Sequence, residues 1–389
     1  MKAIINAKII TEDEILKGYN LLYMKEVIAI SKELPIWAET IDAKGAYLSA
    51  GFIDLHIHGS KGSDVMDATP HALETISTSL LSTGTTSFLA TTMTMSEEKI
   101  VLALENIKNY NAKNRRAKSK KAKSKSGAKI LGVHLEGPFI SPQKHGAQNP
   151  IYIQKPNLEL IEPYMSIIKM ITLAPEVEGG EAFIKYIQER YPKTLLSIGH
   201  SNASYEKSKE SFKWGISHAT HLFNAMNPLH HREPGIVGAV LESDEVSCEI
   251  IADMIHLHPL FFNILYQLKK EKLVLVTDAM RAGCISCGEY DLGGQVVTVK
   301  EGEARLSDGT LAGSVLKLNE ALKNFYEHSE ISLPKLISMV TKIPAQKLGL
   351  RVGELKESYM ADMVLFDKDF NILKTFVNGE IKFDKNSIF

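Results

Sequence analysis

The stretch GFIDLHIH at residues 51–58 decides both the fold and the candidate site. Its apolar residues predict a short buried strand. Because side chains alternate along a strand, Asp54, His56 and His58 share one face. The two histidines lie where this strand ends. An H-x-H pair is by itself only a moderate indication of a metal site, since histidines at a strand tip are also found as ordinary polar residues. The choice between a metal site and a polar strand end therefore depends on the rest of the chain.

Seven further apolar or β-branched runs follow the first, and helical stretches separate most of them. Strands that alternate with helices predict βα units and a parallel sheet, and eight units match a (β/α)8 barrel of the TIM type. An open, doubly wound sheet is the alternative, but no G-x-G-x-x-G follows the first run to mark a dinucleotide site. The seven runs are TGTTSFLATTM, AKILGVHLEG, IIKMITLAPE, KTLLSIGHS, GISHATHLF, SCEIIADM and KLVLVTDAM.

The two ends of the chain differ in character from the middle. Short alternating strand patterns, punctuated by Gly and Asn, fill the first 50 residues and return near the carboxyl end. Because the termini of a domain often lie close together, we predict one small β domain built from residues 1–50 plus 351–389. Residues 51–350 then form the barrel.

Composition gives no support for a macromolecular partner. The 389 residues are 44% hydrophobic and 23% charged, with a formal net charge of −1, so the overall field favours neither nucleic acid nor a membrane surface. No apolar run has the length of a membrane span, and the start of the chain shows no signal-peptide pattern. Three cysteines, a low and odd count, indicate a reducing compartment. We therefore expect a cytoplasmic protein.

One segment, residues 111–129, is strongly basic: NAKNRRAKSKKAKSKSGAK. Such a run can bind nucleic acid or an anionic surface. No aromatic residues are interleaved to stack on bases, so we predict a solvated loop before the third barrel strand.

Potential metal ligands recur at the ends of the predicted strands. Glu136, His200, His221 and Asp278 each lie at the end of a different run, in addition to the first H-x-H. In a barrel of parallel strands these ends meet at one face, where active sites form. Imidazole and carboxylate suit divalent metals such as Zn²⁺ or Fe²⁺, and burying carboxylates without a cation is costly. The set as a whole predicts a metal centre.

Roles follow from the chemistry of these groups. Glu136, His200 and His221 can hold one metal, and His56 and His58 a second one bridged through Glu136. Water on such a metal ionises near neutral pH and becomes a nucleophile. Asp278 can take that proton and later pass it to a leaving group. The constellation suits hydrolysis of a polarised carbonyl.

Other polar residues give weaker signals. Arg232, in the loop HHREPG, suits a bidentate contact with phosphate, although most such arginines are surface residues. His256 lies just beyond the seventh run and is ambiguous alone. His134 is either a supporting group or a satisfied core histidine, and His218 lies off the His221 face and is expected to be structural.

Taken together, these motifs resemble the amidohydrolase superfamily and, within it, the N-acetylglucosamine-6-phosphate deacetylases. The matching stretches run in family order over nearly the whole chain. HLEGPFIS at 134–141 and HATHLFNAMNPLHHREPG at 218–235 are specific to these deacetylases. The wider superfamily shares the first stretch and ADMVLFD at 361–367, although Ala50 stands where the family often has Pro. Further matches are GHSNAS, IIADMIH, LVTDAM and GTLAGS.

The resemblance implies a (β/α)8 barrel with a small β-sandwich domain from both termini, and hydrolysis of the acetamide of N-acetylglucosamine 6-phosphate to glucosamine 6-phosphate and acetate. It implies one or two divalent ions, Zn or Fe, and a homodimer in which Arg reaches a neighbouring active site. The first H-x-H is typical of two-metal members. The implied roles are metal ligation by Glu136, His200, His221, His56 and His58, acid/base catalysis by Asp278, and sugar-phosphate binding by Gln148, Asn224, Ala225, Arg232 and His256.

Two alternatives remain at this stage. A dihydroorotase-like amidohydrolase would use a carboxylated Lys on a middle strand, whereas here Glu136 fills that role and the fourth run has no Lys near its end. A non-catalytic scaffold would keep the barrel, but such relatives tend to lose ligands and this chain retains them.

Overall fold

Eight parallel barrel strands form the centre of the protein in a computed structural model that describes residues 1–119, 127–285 and 287–387. The strands are rich in Ile, Leu and Val and are buried on both faces, as expected when helices surround a parallel sheet. They pair in chain order, each with the next. Their bounds are β1 (Phe52–Ile57), β2 (Thr85–Thr91), β3 (Lys129–Glu136), β4 (Ile168–Leu173), β5 (Leu195–Ile198), β6 (His218–Ala219), β7 (Ser247–Ile251) and β8 (Leu273–Val276).

The barrel closes between β8 and β1. The Asp278 amide donates to the His56 carbonyl at 2.8 Å, and the His58 amide donates to the Ala279 carbonyl at 2.9 Å. A layer lower, the Thr277 hydroxyl donates to the buried Asp54 carboxylate at 2.6 Å. The eight-stranded barrel predicted from the sequence is thus confirmed, and the backbone of three candidate site residues, His56, His58 and Asp278, forms part of its seam.

Helices follow the barrel strands one by one. Along the described chain, one α-helix separates each barrel strand from the next, an eighth follows β8, and two more precede the last strands. Their bounds are α1 (Pro70–Ser79), α2 (Glu97–Ser119), α3 (Leu158–Ile161), α4 (Gly180–Arg190), α5 (Tyr205–Trp214), α6 (Gly235–Glu242), α7 (Leu260–Lys269), α8 (Leu318–Glu327), α9 (Leu333–Ser338) and α10 (Lys342–Lys347). Short 3-10 turns lie at Val65–Asp67, Leu80–Thr83, Pro142–Lys144, Pro150–Tyr152, Glu162–Tyr164 and Lys270–Lys272.

The prediction of a loop at residues 111–129 is wrong for the first half of that segment. Helix α2 continues to Ser119, because Ala, Lys and Arg are good helix formers. Residues 120–126 of that segment lie outside the described residues.

No helix that the structure describes is both long enough and apolar enough to cross a bilayer.

Two further sheets are built from the chain ends. One contains Lys2–Ile5, Asn20–Tyr23, Val27–Ser31 and Glu39–Asp42. The other joins Lys8–Ile10, Ile15–Leu16 and Tyr47–Ala50 to Met363–Phe366, Ile372–Val377 and Glu380–Asp384. Residues such as Ile4, Leu48 and Phe376 form a hydrophobic cluster separate from that of the barrel. The domain bounds 1–50 plus 351–389 and 51–350 stay a prediction.

A three-stranded sheet between β8 and α8 was not predicted. It consists of Gly288–Leu292, Gln295–Lys300 and Glu303–Leu306, and its first turn uses Gly293 and Gly294 at positive φ. The Gln295 side chain donates to the Ala147 carbonyl at 2.7 Å, so the sheet reaches across the mouth of the barrel. The remaining pair of strands, Gly59–Ser60 and Ser63–Asp64, follows β1 directly.

The seam bond between Thr277 and Asp54 gives a stability prediction. Thr277→Val removes the hydroxyl and leaves a buried carboxyl oxygen without that donor, so we expect a loss of about 1–3 kcal/mol in the free energy of unfolding. Denaturant titration of the full chain measures it, with Thr298→Val on an exposed strand position as the matched control. Equal effects of the two substitutions would contradict a role for the seam.

Candidate metal centre and active site

Six ionisable side chains converge at the carboxyl end of the barrel. They come from five strands: the first strand supplies two, and β3, β5, β6 and β8 supply one each. All are buried, with exposed fractions between 0% and 8%. They are His56, His58, Glu136, His200, His221 and Asp278.

The backbone at three of these positions is left-handed. His200, His221 and Asp278 each lie two residues beyond the end of a strand, with φ of 48°, 30° and 49°. Such conformations cost of the order of 1–3 kcal/mol each for residues other than glycine, and they cluster at functional sites. The same turn at the end of three strands brings three side chains to one place.

Glu136 lies at the centre of the cluster. Its Oε1 atom is 3.1 Å from the Nε2 atom of His200 and 3.1 Å from that of His221, and the two Nε2 atoms are themselves 3.1 Å apart. These three ligand atoms are mutually close enough to hold one ion. The structure brings together the residues that the sequence assigned to a first metal.

A second group shares the same carboxylate. His58 Nε2 lies 3.2 Å from Glu136 Oε2, and His56 Nε2 lies 3.4 Å from Glu136 Oε1. Asp278 Oδ1 lies 3.3 Å from His56 Nε2 and 3.2 Å from His58 Nε2. Glu136 therefore stands between two histidine pairs, in the position that a bridging ligand needs.

The histidines of the cluster favour the ionised form of its two carboxylates. Burial would raise the pKa of Glu136, but His56 and hydrogen bonds from His200 and His221 outweigh it and hold that pKa well below its usual range. Burial likewise opposes ionisation of Asp278, and His56 and His58 nevertheless keep its pKa low. Both carboxylates are therefore anionic, and an anionic Glu136 is the form that can ligate a divalent cation.

Gln148 belongs to the same centre. The Thr94 backbone amide donates to Gln148 Oε1 at 2.7 Å, which fixes the orientation of the side-chain amide. Its Nε2 then donates to Glu136 Oε2, also at 2.7 Å. The predicted sugar-binding residue thus contacts the proposed bridging carboxylate, and Thr94, which the sequence did not suggest, holds it there.

A cavity opens beside the cluster and contains most of the predicted substrate residues. Asn224, Ala225 and His256 line it together with Gln148. His256 Nδ1 lies 2.6 Å from the Asp253 carboxylate. Among the lining residues that the structure describes there is no Lys or Arg. The other lining residues are His58, Met93, Glu136, Gly146, Ala147, His200, His221, Asp278, Leu292, Thr310, Leu311 and Gly313.

Arg232 is the one predicted site residue that lies apart. Its side chain is exposed and contacts the neighbouring His231, with 2.6 Å between Arg232 Nη1 and His231 Nε2. It does not line the cavity.

Two histidines considered from the sequence are structural. His134 has both ring nitrogens occupied, by the Leu55 carbonyl at 3.2 Å and the Thr172 hydroxyl at 2.7 Å. The His218 ring contacts the Ser247 hydroxyl at 2.6 Å.

Glu249 was not predicted as a site residue, and its Oε2 atom lies 3.1 Å from His56 Nδ1. The available signal was an acid within the apolar run SCEII.

Comparison with known proteins agrees with this geometry. The amidohydrolase family model matches residues 47–382. The chain is 40% identical to an N-acetylglucosamine-6-phosphate deacetylase of Lysinibacillus sphaericus over 90% of its own length and 89% of that protein.

Solved structures show the same similarity. The enzyme of that name from Pasteurella multocida has a TM-score of 0.90 and 32% identity, covering 98% of this chain and 99% of that one. A Mycobacterium smegmatis mutant in complex with N-acetyl-D-glucosamine-6-phosphate has a TM-score of 0.87 and 27% identity, covering 98% and 99%. This protein, with its eight-stranded barrel and its histidine–carboxylate centre, belongs to the amidohydrolase family.

Proposed function

We propose that this protein hydrolyses the acetamide of N-acetylglucosamine 6-phosphate in a metal-dependent reaction that gives glucosamine 6-phosphate and acetate. One observation carries the proposal: Glu136 lies between two histidine pairs, with Asp278 beside it on the wall of the cavity. The deacetylase relative at 40% identity supports the choice of substrate. A dihydroorotase-like reaction lacks such support, because Glu136 stands where that class uses a carboxylated Lys.

The donor set fits a divalent metal such as Zn²⁺ or Fe²⁺. Imidazole nitrogens and carboxylate oxygens are the ligands these ions accept, and each proposed group offers three ligand atoms within 4.8 Å of one another. Glu136, His200 and His221 would hold the first ion, and His56, His58 and Glu136 the second. When bound, such an ion polarises a carbonyl and lowers the pKa of water.

Asp278 is the proposed acid and base. It is ionised, since His56 and His58 keep its pKa low, and it borders the cavity beside the histidines. An anionic carboxylate there can accept a proton from the attacking water. It then returns the proton to the amine that leaves when the C–N bond breaks.

The cavity supplies contacts for the sugar and its phosphate. We assign sugar-phosphate binding to Gln148, Asn224, Ala225 and His256. Burial opposes protonation of His256, but Asp253 outweighs it and raises the His256 pKa above its usual value. A cationic His256 would face the phosphate. Binding energy from this remote group can serve to position the acetamide.

Arg232 completes the proposed phosphate site in a homodimer. Because no Lys or Arg lines the described part of the cavity and Arg232 is exposed, a second subunit can bring its own Arg232 to this site.

We also propose a cytoplasmic location, which the free thiols Cys248, Cys284 and Cys287 support.

Acetate release from N-acetylglucosamine 6-phosphate tests the proposed reaction. Metal-loaded wild-type protein is expected to release acetate from this substrate much faster than from N-acetylglucosamine without phosphate. Asp278→Asn keeps the size of the side chain but removes the base, so kcat is expected to fall by about 10²–10⁴.

The metal content of Asp278→Asn serves as the control, because the assigned metal ligands are intact in that variant. Full kcat in metal-loaded Asp278→Asn would rule out the proposed acid and base. Absence of acetate from the phosphorylated sugar would rule out the substrate.

Mixed dimers test the contribution of Arg232 from a neighbouring subunit. Asp278→Asn and Arg232→Ala homodimers are each expected to be poorly active. In a heterodimer of the two, one site combines an intact Asp278 with an intact Arg232 from its partner. Activity is therefore expected to return to about half of wild type per dimer. Heterodimers that stay as inactive as the parents would place Arg232 in the site of its own subunit, and an Arg232→Ala homodimer with full activity would place it outside the site.

A further inference from the structure

Glu249 is a buried carboxylate that the proposed reaction does not use. It lies in the middle of β7, in the run SCEII, and its side chain is 0% exposed. A carboxylate in such a place is costly unless it is paired and hydrogen-bonded. Its partners therefore indicate why the barrel interior contains it.

The two oxygens of Glu249 have different surroundings. Oε2 lies 3.1 Å from His56 Nδ1 and accepts the His221 backbone amide at 3.3 Å. Oε1 lies 3.4 Å from His218 Nε2, but neither of these two atoms has a hydrogen bond within the described structure. Burial holds the pKa of His218 below its usual value, so this ring is a neutral neighbour. The principal side-chain partner of Glu249 is His56.

His56 differs in this respect from the other three histidines of the centre. The His200 Nδ1 atom lies 3.0 Å from the backbone carbonyl of Lys144. The Nδ1 atoms of His58 and His221 have no hydrogen-bond partner in the described part of the chain. Only His56 of these four has a carboxylate at Nδ1.

This contact determines the form of the His56 ring. An ionised carboxylate only accepts hydrogen bonds, so a neutral His56 bonded to it has its proton on Nδ1. The lone pair of Nε2 then points at the space between Glu136 and Asp278, at 3.4 Å and 3.3 Å. That is the tautomer a metal ligand needs, and carboxylate–histidine pairs of this kind strengthen metal binding.

Glu249 is not itself part of a third ion site. His56, His134 and Glu249 have ligand atoms close together, but both nitrogens of His134 already contact Leu55 and Thr172. With its ring engaged in this way, His134 has no lone pair free to bind an ion there.

We propose that Glu249 is a positioning residue that holds His56 as a ligand, so that the group of His56, His58 and Glu136 binds its ion only weakly without it. The group of Glu136, His200 and His221 keeps its ion. This inference rests on the proposed metal-dependent function. It makes Glu249 a residue on which binding of the second ion depends and binding of the first does not.

Titration of the metal-free full chain with Zn²⁺ tests the proposal. Wild type is expected to bind two equivalents. Glu249→Asp withdraws the carboxylate by one methylene and is expected to weaken one equivalent by about 10–100-fold while the other is unchanged. Glu249→Gln keeps an oxygen that can accept from His56 Nδ1, and its amide can donate to His218 Nε2. We therefore expect it to bind both equivalents as wild type does.

The controls separate positioning from a general loss of structure. Asp362→Asn alters another buried carboxylate, which binds Lys129 away from the cluster, and is expected to keep both equivalents. His56→Ala is expected to weaken the same equivalent as Glu249→Asp. Equal weakening by Glu249→Asp and Glu249→Gln would overturn the proposal, as would wild-type binding by Glu249→Asp or a single equivalent in the wild type.

If Glu249→Asp does not fold, the nitrogen chemical shifts of His56 in the Zn²⁺-loaded wild-type chain decide the question. A proton on Nδ1 supports the proposal and a proton on Nε2 overturns it. Because none of these measurements uses the sugar phosphate, a wrong substrate assignment and a wrong role for Glu249 give distinguishable results.

Discussion

The burial of one carboxylate among four imidazoles is the constraint on which the rest of the structure depends. Glu136 is 2% exposed and lies within 3.4 Å of a ring nitrogen of His56, His58, His200 and His221. An isolated carboxylate in such surroundings would be expensive, and the histidines together with a cation would remove that cost. The barrel seam, the left-handed residues after three strands and the Gln148 amide all hold this arrangement in place.

The elements that hold the centre change with distance from Glu136, from barrel strands to loops. The proposed ligands come from strand ends, which closure of the barrel fixes relative to one another. Gln148 and Glu249 contact the proposed ligands Glu136 and His56. The cavity wall is built from loops and from the three-stranded sheet, and the proposed phosphate contact of Arg232 depends on another subunit. Chemistry thus rests on the rigid part of the molecule, while substrate recognition rests on connecting segments, as is usual for barrels.

The barrel and the positions of the proposed ligands were predictable because both depend on local pattern. Strands buried on two faces are continuous apolar runs, so a polar residue at the end of each run stands out, as His200 and Asp278 do. Glu249 was overlooked because it lies inside a run, where its partner His56 is 193 positions away. The helix at 111–119 was missed because a basic composition suits either an exposed helix or a loop. The proposed contact of Arg232 with a neighbouring active site would depend on assembly, which local sequence pattern does not encode.

Anomalous X-ray scattering from crystals of the Zn²⁺-loaded protein tests the central claim most directly. We predict a zinc peak about 2.0–2.2 Å from a carboxylate oxygen of Glu136, His200 Nε2 and His221 Nε2. We predict a second peak at similar distances from His56 Nε2, His58 Nε2 and the other oxygen of Glu136. Zinc bound elsewhere in the chain, with no peak among these side chains, would contradict the proposed metal centre.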